Sequence, residues 1–146
     1  MKKESKSFMG YSKRSRKVHR RLLAETGGCC IYCGRRLDEF SASIEHIIPL
    51  SRGGKNEEIN IVASCMPCNY LKYTLFVKDF IALLPFRKQR AFYNRINTLR
   101  KQGKLSEDKY MLLSHVGGVS KISRIGIQVG RFQFRCVFLL NIRNKK

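Results

Sequence analysis

Acidic residues are scarce in this chain. Its 146 residues include 10 Asp and Glu against 30 Lys and Arg, which gives a formal net charge of +20. An imbalance of this size predicts a polyanionic partner. Lys and Arg side chains that neutralise the phosphates of a nucleic acid release its condensed counterions, and this release favours binding. Charge alone is equally compatible with DNA, RNA and an anionic membrane surface.

Long apolar runs are also missing. The longest candidate, residues 136–140 (CVFLL), is far shorter than the ~18 apolar residues of a membrane-spanning helix, so a membrane span is excluded. Residues 1–17 are basic and lack the apolar core of a secretory signal. We therefore expect an intracellular, cytoplasmic protein with no membrane partner. In such a reducing compartment, well-spaced cysteines favour a metal site over disulfides.

The first half of the chain separates into two predicted segments. Residues 1–28 are rich in Lys and Arg, and we expect a basic helix from about Ser12 to Ala24 that stops at the Gly27-Gly28 pair. Residues 29–75 contain nearly all the side chains that suggest chemistry. A chain of this length is expected to bury one modest core.

The second half also separates into two predicted segments. Residues 76–113 have apolar residues at helical spacing, split by Pro85, and we expect a pair of helices packed on the central unit. Residues 114–146 form a basic tail with apolar residues at every second position. This spacing predicts one or two strands, or a hairpin, interrupted near Gly130.

Two C-x2-C pairs predict a zinc site. They are Cys30-Ile-Tyr-Cys33 and Cys65-Met-Pro-Cys68. A tetrahedral zinc ion takes four thiolates, and the two-residue gap lets each pair bind it from one tight turn. A site closed by four thiolates stabilises the fold and leaves no open position for a reacting water.

Two other cysteines need an assignment. Cys29 adjoins Cys30, so either thiol could be the ligand, although Cys30 gives the two-residue spacing. Cys136 stands alone and is expected to act as a small apolar residue. The remaining alternatives for the cysteine pairs are buried cysteines that are paired by coincidence and a thiol redox protein, which needs a βαβ pattern that the sequence lacks.

The segment between the cysteine pairs contains two strand-like runs, residues 43–48 and 60–64, joined by a loop that includes residues 51–56. A helix is expected to begin near Met66 and to carry Asn69 and Lys72. The predicted order is strand, loop, strand, helix, closed by zinc. The expected fold class is therefore α+β, with flanking helices around this unit.

The stretch SIEHIIPLSRGG (residues 43–54) sets Glu45 and His46 side by side in an apolar run. A single His in such a strand is more often a core residue than a catalytic one, so this stretch does not decide the function without its neighbours. Successive side chains on a regular strand also point to opposite faces. If both residues served one site, we would expect the backbone to bend there.

These residues together resemble the HNH nuclease family and its ββα-metal fold. The matching features are the Glu45-His46 pair, Asn60 at the start of the second strand, and Asn69 directly after Cys68. The run PLSRGG and the ending Cys68-Asn-x-x-Lys72 also look like the family. The resemblance covers roughly residues 18–75, about half of the chain.

The resemblance implies a metal-dependent endonuclease that hydrolyses phosphodiester bonds, with double-stranded DNA as the expected partner. It assigns His46 as the general base, and it assigns Glu45 and Asn69 as ligands of a catalytic Mg2+ or Mn2+ ion. It gives Asn60 the task of holding the bend by hydrogen bonds to loop backbone. Zn2+ at the four paired cysteines would be structural.

The sequence departs from the family pattern at two positions. Glu45 stands where many relatives have Asp, and Asn69 stands where the family name expects a second His, which resembles the HNN variant. An amide oxygen is a hard, neutral ligand that suits Mg2+. Arg52, Lys55 and Lys72 are the predicted phosphate contacts.

The alternative function is a non-catalytic zinc module that binds RNA or DNA, as basic zinc proteins of the ribosome do. Simple zinc binding requires only the four paired cysteines. The set that distinguishes the two functions is Glu45, His46, Asn60 and Asn69.

Overall fold

A computed structural model describes residues 13–116 of the chain. Its centre is a two-stranded antiparallel sheet, in which β1 (Ala42–His46) pairs with β2 (Ile61–Cys65) in the register Ala42 to Cys65 and His46 to Ile61. Short 3-10 helices at Leu50–Arg52 and Glu58–Asn60 lie in the connection between the strands. The mixture of helices with this antiparallel pair confirms the predicted α+β class.

Helix α1 (Lys13–Glu25) covers one face of the sheet. Its Leu22 and Leu23 pack against Ala42 of β1 and Ala63 of β2, and this burial compensates for the repulsion among the many basic residues of the helix. The helix ends at Glu25, followed by Gly27 and Gly28 with positive φ angles of 65° and 71°. The predicted helix stop at this glycine pair is therefore correct.

Helix α2 (Met66–Lys72) follows β2 directly and has Pro67 in its first turn, where a missing backbone N–H costs nothing. It packs on both strands, and its Cys68, Leu71 and Lys72 are buried. The predicted order of strand, loop, strand and helix between the cysteine pairs is confirmed, with boundaries within two residues of those expected. This unit places β1 and α2 against each other.

Three further helices complete the described part of the chain: α3 (Val77–Ala82), α4 (Phe86–Lys101) and α5 (Glu107–His115). Phe80 of α3 and Phe92 of α4 both pack against Tyr32, which lies between the first two paired cysteines. Their rings are nearly or fully buried, so these helices form one core with the cysteine-containing unit.

The predicted helical extension differs from the structure in one respect. The spacing indicated a pair of helices split by Pro85, and α3 and α4 do meet there, but α5 forms a third helix. Ser106 caps it by accepting a hydrogen bond from the Lys109 backbone N–H at 3.3 Å. Its last residue is His115, inside the segment that was expected to be tail. The strands predicted around Gly130 lie outside the described residues.

Candidate functional site

The four paired cysteines converge on one point. The sulfur atoms of Cys30, Cys33, Cys65 and Cys68 all lie within 4.8 Å of one another, and those of Cys33 and Cys65 are 3.7 Å apart. Four sulfurs at about 2.3 Å from a tetrahedral zinc ion would be about 3.8 Å apart, so the cluster fits zinc. The prediction that these four residues come together is confirmed, and the group they form could hold a metal ion.

Hydrogen bonding among the four thiols shifts their pKa values in opposite directions. Hydrogen bonding with Cys30 is the main cause that lowers the pKa of Cys65 to about 7, and it likewise lowers the pKa of Cys33, whereas hydrogen bonds within the cluster raise the pKa of Cys30 and of Cys68. The adjacent Cys29 is not part of the cluster, because its sulfur lies 3.6 Å from the Gly27 carbonyl oxygen. Of the two thiols that the sequence left open, Cys30 is therefore the one that faces the others.

The turn that carries Cys30 and Cys33 is braced by a residue far along the chain. The guanidinium of Arg95, on α4, donates hydrogen bonds to the carbonyl oxygens of Ile31 and Tyr32, both at 3.0 Å. Gly34 makes room for this guanidinium, since a Cβ atom there would lie 2.2 Å from an Arg95 nitrogen. No local pattern in the sequence indicated this role for Arg95, which lies more than 60 residues away from the turn.

Glu45 and Lys72 form a buried ion pair between β1 and α2. The Lys72 ammonium donates to Glu45 Oε1 at 2.6 Å and to the His46 carbonyl oxygen at 2.8 Å, and the two side chains are 0% and 4% exposed. Burial raises the pKa of Glu45 to about 7 against the opposing effect of Lys72, and burial lowers the pKa of Lys72. Burial therefore disfavours the charged form of each side chain, and the charge of its partner stabilises that form.

This burial corrects the predicted phosphate contact at Lys72. An ammonium with no exposed surface, already bonded to a carboxylate and a carbonyl, does not face a DNA backbone. Its place in the structure is to hold Glu45 and the end of β1 against α2. The sequence could not reveal this role because the two partners are 27 positions apart.

We expect Lys72→Met to lower the free energy of unfolding by about 3 kcal/mol or more, because it leaves the Glu45 carboxylate buried without a cation. Glu45→Gln in the same chain should recover much of that loss, since the amide carries no charge. Urea unfolding of the zinc-loaded proteins measures both effects. Lys78→Met, at an exposed position on α3, is the matched control. A Lys72→Met loss no larger than that control would show that the pair adds no stability.

His46 ends β1 and lies next to the following loop. Its Nε2 atom is 3.1 Å from Oδ1 of Asn56, and its side chain is partly exposed. The bend expected between Glu45 and His46 is absent, because both residues pair regularly with β2. Glu45 therefore points towards α2, while His46 points to the opposite side of the strand.

Asn60 ties the loop after β1 to the start of β2. Its side-chain oxygen accepts a hydrogen bond from Ile48 N at 2.8 Å, and its amide nitrogen donates to the carbonyl oxygens of Ile48 at 3.0 Å and Lys55 at 2.8 Å. Gly54 lies against the same backbone, where a Cβ atom would be 2.0 Å from the Ile48 oxygen. The predicted contact between Asn60 and loop backbone is therefore present.

Asn69 lies on the side of α2 that faces β1. Its amide nitrogen donates to Ser43 Oγ at 3.1 Å and to the carbonyl oxygen of Ile44 at 3.3 Å. It thus touches the backbone immediately before Glu45. The structure brings Glu45 and Asn69 to the same layer between β1 and α2, and both side chains offer the oxygen atoms that Mg2+ prefers.

Arg52 and Lys55 remain on the surface beside this layer. The Arg52 guanidinium lies 5.2 Å from the centre of the Phe76 ring, which orients it while leaving it exposed. The Lys55 side chain is 78% exposed and 3.8 Å from Glu57. Both cations are accessible to a phosphate, unlike Lys72.

Comparison with known proteins gives a consistent picture. Residues 30–82, about a third of the chain, match a family model described as HNH endonuclease. No curated protein matches the chain. Among solved structures, the Type II-C Cas9 enzyme from Actinomyces naeslundii has a TM-score of 0.54 at 20% identity over 75% of this chain.

The structural match is a likeness of fold. The chain corresponds to 14% of the length of that Cas9 enzyme, so most of the larger protein has no counterpart here. Together with the family model, the shared fold confirms the family resemblance for the segment that holds the paired cysteines, both strands and α2. Among the described residues, no helix is long and apolar enough to cross a membrane.

Proposed function

We propose that this protein is a metal-dependent endonuclease that hydrolyses DNA phosphodiester bonds, because residues 30–82 match the HNH endonuclease family model. One observation carries the proposal. His46, Glu45 and Asn69 are brought to the end of β1, and a loop clamped by Asn60 lies beside them. A structural zinc site alone would not require that arrangement.

His46 is the proposed general base. The side-chain oxygen of Asn56 can only accept a hydrogen bond, so Nε2 of His46 carries the proton in that contact. In a neutral imidazole the lone pair is then on Nδ1, which is the atom available to take a proton from an attacking water. Asn56 is the positioning residue in this scheme, because it selects the tautomer.

Glu45 and Asn69 are the proposed ligands of a catalytic Mg2+ or Mn2+ ion. Asn69 contacts the carbonyl of Ile44, and Glu45 follows that residue on β1. When bound, a divalent ion supplies positive charge for the oxygens that become more negative during hydrolysis. Two protein ligands agree with Mg2+, which keeps several waters in its coordination shell.

The opposite orientations of His46 and Glu45 are compatible with this chemistry. In an in-line displacement the attacking and the leaving oxygen lie on opposite sides of the phosphorus. A phosphate at the end of β1 would have the base on one side and the carboxylate on the other. The absence of a bend between these two residues therefore does not oppose the mechanism.

Double-stranded DNA is the proposed partner on the basis of the family resemblance, and the charge of the surface agrees with a nucleic-acid partner. Exposed Arg16, Lys17 and Arg20 lie on α1, and Arg52 and Lys55 lie on the loop after β1. These cations can neutralise backbone phosphates without reading sequence. The zinc site would hold the loop and strands that carry the proposed catalytic residues.

A non-catalytic nucleic-acid-binding module is the second candidate, and the Glu45–Lys72 pair favours it. A carboxylate that already bonds an ammonium at 2.6 Å must exchange or share that partner to bind a divalent ion. In a binding module the pair would serve stability alone.

Cleavage of supercoiled plasmid distinguishes the two candidates. Purified protein with millimolar Mg2+ or Mn2+ should convert the plasmid to nicked or linear DNA, and the same protein without added divalent ion should not. A protein that shifts the plasmid in a gel but leaves it supercoiled under every metal condition would support the binding module and overturn the endonuclease proposal.

A further inference from the structure

Helix α2 presents three large apolar side chains to solvent. Met66, Tyr70 and Tyr73 are 64%, 61% and 71% exposed. The first two are four positions apart and the last two are three apart, so Met66 and Tyr70 share one face of the helix and Tyr73 continues the line at its C-terminal cap. We refer to Met66, Tyr70 and Tyr73 as the α2 stripe.

Tyr73 has a backbone conformation that other side chains avoid. Its φ of 46° and ψ of −117° fall in a region normally occupied by Gly in tight turns. It is the single non-glycine residue with positive φ among residues 13–116. Such strain destabilises the folded protein, and the packing of an exposed ring offsets little of that cost. We therefore infer that the Tyr73 ring has a function.

The stripe adjoins the proposed catalytic residues. Tyr70 follows Asn69, and Tyr73 follows Lys72, which bonds both Glu45 and the His46 carbonyl. A DNA strand whose phosphate lies at the end of β1 would therefore have nucleotides within reach of these rings. The net charge of +20 favours such a polyanion over an apolar protein surface.

Aromatic rings on a protein surface stack on nucleobases that are not already stacked within a duplex. The bases of an intact double helix cover each other's faces, whereas a single strand, a flap or the edge of a nick offers free faces. The rings of Tyr70 and Tyr73 suit those free faces, and the flexible Met66 side chain can extend the same surface.

We propose that the α2 stripe stacks on unpaired DNA bases beside the bond that is cut, so that the preferred substrate contains single-stranded or locally unpaired DNA. This inference rests on the proposed endonuclease function, and it narrows the class of DNA on which that function acts. The cations described above would hold the phosphates of the same strand.

The test measures binding separately from cleavage. His46→Ala protein, without added Mg2+, is titrated against a fluorescein-labelled 15-nucleotide single strand and the matching 15-base-pair duplex at one fixed salt concentration. When they are added to the His46→Ala protein, Tyr70→Ala and Tyr73→Gly should each weaken its binding to the single strand about tenfold. Duplex binding should change by less than about twofold.

Conservative variants make the result specific to the rings. Tyr70→Phe and Tyr73→Phe keep the aromatic face and should retain single-strand affinity within about twofold. Phe86→Ala removes another exposed ring, 77% exposed on α4, and should also leave binding unchanged. A 2-aminopurine base in the oligonucleotide should be quenched by the parent protein and less so by Tyr73→Gly.

Tyr73→Gly also distinguishes the effect of losing the aromatic ring on DNA binding from the effect of relieving backbone strain on stability. Glycine adopts this φ at no steric cost, so the variant should melt at a higher temperature than its parent while it binds the single strand more weakly. Unchanged single-strand binding together with higher stability would overturn the proposal, as would equal weakening on both DNA forms. If ring removal weakens single-strand binding but the unmodified protein, with Mg2+ or Mn2+, cleaves neither the plasmid nor the single strand, the endonuclease function fails and the stacking surface stands.

Discussion

His46→Ala should reduce DNA cleavage by a factor on the order of 100 or more, while zinc content, folding and DNA binding remain close to those of the parent. The substitution removes the imidazole whose Nδ1 is the proposed proton acceptor. Its structural cost should be small, because the side chain is partly exposed and its described hydrogen bond is to the exposed Asn56. Raised pH should recover part of the activity, since hydroxide can replace a missing base.

The measurement is the initial rate of plasmid nicking against Mg2+ concentration, with zinc quantified in the same samples. Glu45→Gln is the companion variant, because it removes the charge of a proposed ion ligand and keeps the shape of the side chain. Its rate should depend more steeply on Mg2+ than the parent rate does, whereas added Mg2+ should not rescue His46→Ala.

His115→Ala is the matched control, since it removes an exposed imidazole at the end of α5 and should leave the rate unchanged. If His46→Ala cleaves at the parent rate while it keeps its zinc, the assignment of the base is wrong. That outcome would leave the zinc site and the fold untouched.

Cys65→Ser should cause the largest loss of stability, and we expect most of the protein to be unfolded or insoluble in the absence of a four-thiolate site. The sulfur of Cys65 joins the end of β2 to the turn at Cys30 and Cys33, so one substitution loosens both strands and α2. In small zinc units the free energy of metal binding is a large part of the free energy of folding. Cys33→Ser should act in the same direction.

Circular dichroism and metal analysis of purified protein test this expectation, with about one zinc per chain expected for the parent. Cys29→Ser is the control, because that thiol lies outside the cluster and contacts the Gly27 carbonyl instead. It should purify with full zinc and unchanged folding. A stable, fully folded protein without metal, or equal losses for Cys29→Ser and Cys65→Ser, would contradict a structural role of the four cysteines.

The part of the site that the sequence predicted correctly depends on local spacing. A gap of two residues allows two thiols to bind one ion from a single turn, whatever the rest of the chain does. The order of strand, loop, strand and helix is likewise predicted by short runs of apolar residues bounded by Gly, Pro and Asn. For the same reason Gly27 and Gly28 ended α1 where expected.

The errors arose where partners are distant along the chain or where the local pattern is weak. Lys72 carries the same charge as Arg52 and Lys55, and no local pattern distinguishes them. The structure buries Lys72 against Glu45 and leaves the other two exposed, because α2 packs on β1. Helix α5 was missed as a separate element, since its short segment has a weak periodicity and its cap at Ser106 is a single side chain.

The sequence by itself determined the spacing within each cysteine pair, the excess of basic residues and the candidate catalytic residues, since these follow from residue type and short spacing. Only the tertiary structure decided which of those residues meet. It directed Glu45 towards Lys72 and His46 towards Asn56, it braced the first cysteine turn with Arg95, and it left Tyr70 and Tyr73 facing solvent. These outcomes depend on how β1, α2 and α4 pack, and packing joins residues that no short segment of sequence contains.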